Sequence, residues 1–162
     1  MSSPTRSWLL ELQARWRDIR LFAILGVICV VGGGLVAAST APLQSERASW
    51  AAAYLVLVAG VAQIALGVGQ ALFAESPPAR RIAAAQVAGW NVGNAAVIVG
   101  TLVQVPVIAD IGAVLLLATL IRSLQAVRGR SGGRTGRLYR GLLVVLVVSI
   151  PIGLVLARLR PA

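Results

Sequence analysis

Histidine and lysine are missing from this chain, and cysteine occurs once, as Cys29. A single cysteine rules out an intramolecular disulfide. Without histidine, and with so few carboxylates, the ligand clusters that hold metals or haem cannot be assembled, so no cofactor is expected. Nucleophilic catalysis needs a base within reach of the nucleophile. The only bases left are Glu11, Asp18, Glu46, Glu75 and Asp110, and all but Asp110 fall at expected interfaces or in loops. Cys29 lies in an apolar run and is expected to be inert. The glycines of GVICVVGGG are also inside an apolar run, with no strand before them to make a phosphate loop. The chain is therefore read as non-catalytic.

Charge is scarce too. Only 12% of residues are charged and 58% are hydrophobic, with a mean hydropathy of +0.86. Soluble domains are about 45–50% apolar, so this composition belongs to an integral membrane protein. Every basic residue is arginine, and Ala, Gly and Val abound. That bias points to a GC-rich genome and hence to a multi-pass protein of a bacterial plasma (inner) membrane.

About 20 apolar residues in a helix cross the hydrocarbon core. Five runs approach that length: residues 21–40, 49–74, 82–103, 107–127 and 141–157. The expected fold is a single-domain, all-α bundle of five transmembrane helices. The third and fourth runs are separated by Pro106, which forces Val105 out of helical geometry, so Val103 to Pro106 reads as a tight turn. The fifth run is the shortest, with Arg140 and Arg158 placed to snorkel to the two interfaces. Ser39-Thr40-Ala41 resembles a signal-peptidase site, but the first run exceeds the usual h-region of about 7–15 residues, so an uncleaved span is expected.

The arginines set the orientation. Arg6, Arg15, Arg17 and Arg20 precede the first run, and Arg80 and Arg81 lie between the second and third. Arg128, Arg130, Arg134, Arg137 and Arg140 fill the basic loop 128–140 between the fourth and fifth. With five crossings these all share one side, against Arg47, Arg158 and Arg160 on the other. The N-terminus is expected in the cytoplasm and the C-terminus outside. The charges hug apolar runs, so their expected partners are anionic lipid headgroups rather than nucleic acid. Arg15, Arg17, Arg20, Arg128, Arg130, Arg134, Arg137 and Arg140 are the residues expected to make those contacts. The tract RGRSGGRTGRLYR has an RGG-like look, but it reads as a Gly/Ser linker carrying topological charge.

Ahead of the first run, Trp8, Leu9, Leu12, Trp16 and Ile19 recur at helical spacing. Residues 5–20 are expected as an amphipathic helix on the cytoplasmic surface, serving as an anchor or as a partner-docking element.

Polar residues inside the apolar runs carry what functional signal there is. In the third run, Gln86, Gly89, Gly93, Ala96 and Gly100 share a face, bordered by Trp90 and Asn94. In the second, Gly60, Gln63, Gly67 and Gln70 make a matching stripe. Counting along an antiparallel hairpin brings Gln70 level with Gln86, and Gln63 level with Asn94. Small residues let helices approach, and amides in lipid seek partners, so these residues are expected to bond across that hairpin as packing glue. The indole N–H of Trp90 is expected to reach Gln86 or Asn94. The alternative is that the amides line a path, with Asn91 and Asp110 as path or proton-handling residues. Asp110 otherwise reads as a helix-start acid favoured by the helix dipole.

Two functions follow as expectations. The first is an accessory, assembly or scaffolding subunit of a larger membrane complex, with a membrane protein partner or further copies of itself. The second is a small oligomeric transporter or channel component with an amide-lined path between the second and third spans.

Overall fold

A computed structural model describes residues 4–74, 79–127 and 133–159 of the chain, with side chains described for 20–74, 79–127 and 133–152. Among the described residues every element is helical. We number the long helices α1 (Pro4–Thr40), α2 (Glu46–Phe73), α3 (Arg80–Leu102), α4 (Pro106–Ala126) and α5 (Gly133–Leu159). All five are long and apolar enough to cross a membrane. Joined in series and packed against one another, they place the 41–45 and 103–105 connections at one end of the bundle, the tight-turn end. Arg20, Arg80, Arg81, Arg134 and Arg137 are exposed at the other, the arginine end.

Three boundaries differ from expectation, each for a local reason. The expected surface helix 5–20 and the first span are one uninterrupted helix, α1. The amphipathic face expected from Trp8 to Ile19 lies outside the described side chains. Helix α2 starts at Glu46 rather than Ser49, because the Ser45 hydroxyl accepts a bond from the Ala48 N–H and acts as the N-cap. Helix α5 starts at Gly133, inside what was expected to be the basic loop 128–140. Tertiary contacts hold this first part in the helix. Tyr139 stacks on Phe73 with ring centroids 5.5 Å apart and donates its hydroxyl to the Leu66 carbonyl. Pro151 falls within α5, which continues through it.

The turn between α3 and α4 comes where Pro106 predicts it, and its geometry is a Schellman motif. Gln104 adopts φ 58°, its N–H bonds the Thr101 carbonyl, and the Val105 N–H bonds the Gly100 carbonyl.

Glycines decide which helices become neighbours. A Cβ on Gly60 would meet the Gly26 carbonyl oxygen at 2.9 Å, and one on Gly33 would meet the Ala52 oxygen at 2.9 Å. Helices α1 and α2 therefore run antiparallel with their backbones nearly touching. Helices α3 and α4 form the second such pair. A Cβ on Gly112 would lie 2.6 Å from the Gly93 oxygen, and one on Gly100 would lie 2.5 Å from the Ala109 nitrogen. The expected close hairpin of α2 with α3 is thus replaced by α1–α2 and α3–α4 pairs. Gly60 and Gly67 serve α1, leaving Gln63 and Gln70 to face the other pair. Helix α5 flanks α4. The common core holds Phe22, Leu66, Trp90, Leu116, Leu120 and Leu143.

Helix α2 widens from Leu55 to Ala62 into a π-helix. There the residue five places on, rather than four, falls into line. Trp50, Tyr54 and Val58 are spaced by four along one stripe, and the wide turn extends that stripe to Gln63.

Candidate functional site: an apolar cavity beside a core of amides

A cavity of about 660 Å³ opens in the tight-turn half of the bundle, between α2, α3, α4 and α5. Glu46, Arg47 and Trp50 stand at its rim. Tyr54, Val58, Val97, Leu146 and Ile150 are among its walls, and Trp90 and Leu120 close its floor. From Glu46 to Val58 the helix advances about 18 Å, over half the thickness of a bilayer core.

The amides lie outside the cavity lining, one pair beside its lower wall and the other below that floor. Gln63 is 0% exposed, Asn94 2%, Gln70 4% and Gln86 6%. Their depths follow from the packing. Gly89 abuts Thr119 and Gly93 abuts Leu116, so one further turn of α3 brings Gln86 level with Ser123 on α4. Gln70 of α2 bonds Ser123 directly, at 2.9 Å. Seven residues toward the cavity from that bond, Gln63 comes level with Leu116, and hence with Gly93 and Asn94. The amides therefore occupy two levels about 10.5 Å apart. These are the levels that counting along the spans predicts.

The bonding is different from the prediction. Gln70 gives its N–H to Ser123 Oγ rather than to Gln86, and Ser123 in turn donates to the Thr119 carbonyl at 2.9 Å. Asn94 spends its Nδ2 on the Trp90 carbonyl of its own helix, at 2.8 Å. Among the described residues, five buried side-chain atoms have no hydrogen-bond partner: both ends of the Gln63 amide, Gln86 Oε1, Trp90 Nε1 and Asn94 Oδ1. The expected Gln63–Asn94 bond and the expected Trp90 indole bond are not made. The cause is visible in the pairing of helices. With α3 drawn onto α4 by Gly89, Gly93 and Gly100, the α3 amides are held by backbone packing rather than by bonds to α2. A buried polar group left unpaired costs about 1–3 kcal/mol, so this core is expensive to keep.

The remaining candidates fall elsewhere. Asn91 is half-buried, and its Nδ2 bonds the Val87 carbonyl at 2.8 Å. Asp110 is half-buried and lies just past the first turn of α4, where its neighbours Ala109 and Ala113 form the cavity wall in its place. Arg140, expected at lipid headgroups, instead donates Nε and Nη2 to the Val127 carbonyl at 3.0 and 2.7 Å. It caps the last turn of α4, where a cation suits the helix dipole. Arg20, Arg134 and Arg137 are exposed. Arg128 and Arg130 lie outside the described residues, and Arg15 and Arg17 outside the described side chains.

Sequence reasoning missed Ser123 and Thr119, which look like ordinary small polar residues in an apolar run. Their spacing from Leu116, at helical intervals on one face, was the available signal. It also missed Tyr54 and the rim pair Glu46–Arg47. No protein-family model matches the chain, and no curated protein or solved structure is detectably similar to it.

Proposed function

We propose that the chain is a non-catalytic, multi-pass transport component of a bacterial plasma membrane, in which the cavity is the outer vestibule of a path continued inward by the amides. One observation carries this reading: unpartnered amide and indole atoms are buried around the floor of the cavity. Amides that serve as packing glue are bonded across helices, as Gln70 and Ser123 are. Gln63, with both ends of its amide unpaired, binds nothing among the described residues. A polar group maintained at that cost fits a partner that comes and goes. The exposed arginines at the opposite end support a cytoplasmic side for that end, against anionic headgroups, with the cavity facing outward.

Cysteine accessibility tests the reading. In a Cys29→Ser background, single cysteines replace Gln63, Gln86, Asn94 and, as a bilayer-facing control, Val92. A charged, membrane-impermeant methanethiosulfonate reagent is applied to membranes. The path requires labelling at the three amide positions and none at Val92. Silence at all three, together with recovery of a stoichiometric partner on mild extraction, would overturn the proposal in favour of an accessory subunit.

A further inference from the structure

We infer that the cavity takes a single-chain amphiphile whose head carries both charges, admitted sideways between α2 and α5. The inference rests on reading the cavity as the mouth of a path, and it names what travels.

The wall chemistry excludes hydrophilic solutes. Thr101 and Ser149 line the cavity, but their hydroxyl protons are committed to their own helices, bonding the Val97 and Val145 carbonyls at 2.7 Å each. Tyr54, stacked on Trp50 with ring centroids 5.3 Å apart, is the remaining hydroxyl of the wall. Val58, Val97, Leu116, Leu146 and Ile150 make the rest of the lining largely hydrocarbon. A sugar, an amino acid or an ion would exchange its hydration for these side chains and lose most of its hydrogen bonds. An alkyl chain gains from the same burial.

Charge is confined to the rim. Glu46 and Arg47 are adjacent in sequence, exposed, and both part of the lining. Opposite charges side by side at the mouth match a head with an ammonium and a phosphate. A purely anionic or cationic head would face one attractive and one repulsive neighbour.

The shape fits an occupant from the bilayer. Helices α2 and α5 meet where Tyr139 packs on Gly69 and Phe73, at the arginine end. Toward the tight-turn end α5 stays with α4, and the cavity fills the space between α5 and α2. That gap faces the lipid. The depth of about 18 Å accepts an extended chain lying along the helices. The unpartnered amides at two levels, one beside the lower wall and one below the floor, offer the head successive polar contacts while the chain remains in the gap.

The test uses the full chain in nanodiscs, with Trp8, Trp16 and Trp50 replaced by Phe so that Trp90 reports from the cavity floor. The probe is a lysophosphatidylcholine brominated on its chain, since bromine quenches indole on contact. We expect saturable quenching, competed by the unbrominated lipid and weakened at least five-fold by the cavity-filling Val58→Phe. A brominated fatty acid and a brominated alkyltrimethylammonium should bind at least ten-fold more weakly. Glu46→Gln should narrow the gap for the fatty acid, and Arg47→Gln for the ammonium. Quenching that never saturates, or that ignores Val58→Phe, overturns the inference. So does equal affinity for all three heads. Labelled amide cysteines without lysolipid binding would leave a path with another cargo. Binding without labelling would leave a lipid site with no path.

Discussion

Gln70 and Ser123, 53 positions apart in sequence, share a buried hydrogen bond of 2.9 Å that ties α2 to α4. It is the cross-helix amide bond from which the depth of every other polar residue in the core can be counted. Ser123→Ala would leave the Gln70 amide buried and unpaired, at a cost of about 1–3 kcal/mol. Gln70→Met should cost less, and the double variant should be more stable than the sum of the singles predicts. A double-mutant cycle on unfolding in mixed detergent micelles measures the coupling, expected at roughly 0.6–2 kcal/mol.

Gln63 should behave in the opposite way. Its side chain is fully buried and both ends of its amide lack partners, so Gln63→Met keeps the volume and removes the penalty. Stability should hold or rise by about 1–3 kcal/mol in the same unfolding assay. Asn94→Leu should be milder, because it also removes the Asn94 bond to the Trp90 carbonyl. Loss of stability on Gln63→Met would mean that the amide is a structural bond after all.

The turn at Gln104 offers a gain from a change of backbone freedom alone. A glutamine at φ 58° occupies a position that glycine takes in most Schellman motifs. Gln104→Gly should stabilise the protein by on the order of 0.5–1 kcal/mol, after the entropy glycine adds to the unfolded chain. Gln104→Val should destabilise it, since a β-branched residue tolerates that region least. Both are read as shifts in thermal midpoint.

Two glycines separate close packing from helix propensity. A Cβ on Gly112 would sit 2.6 Å from the Gly93 carbonyl oxygen, whereas one on Gly34 meets nothing within 4 Å. Gly112→Ala must push α3 and α4 apart and should cost at least about 2 kcal/mol, in the range of overpacking. Gly34→Ala should gain about 0.5–1 kcal/mol from propensity. Equal effects from the two would mean that α3 and α4 are not in backbone contact.

The spans were legible because crossing a bilayer demands length and hydropathy, and both are local properties. The turn at 103–105 was legible because Pro106 restricts Val105 through covalent geometry. Partner choice was not. Counting residues gives depth along a helix but not which neighbour occupies each side, and small residues mark several faces at once. Gly60 and Gly67 look as suited to α3 as to α1. The start of α5 was hidden for a related reason. Residues 133–140 have the composition of a linker, and only distant partners such as Leu66, Phe73 and Val127 make them helical. The cavity had no sequence signal, because it is a gap left by helices that diverge.

The π-helix in α2 holds Gln63 in phase with the cavity stripe by taking up one extra residue in its wide turn. Substitutions within Leu55–Ala62 that keep the wide turn would leave that phase alone. Loss of a single residue there would restore ordinary winding and keep Gln63, then four places after Val58, on the line of Trp50, Tyr54 and Val58, whereas ordinary winding with every residue retained would swing it off by about 100°. A change of winding at this point, rather than a change of length, is thus the economical way for such a bundle to connect its vestibule to its core or to seal one from the other.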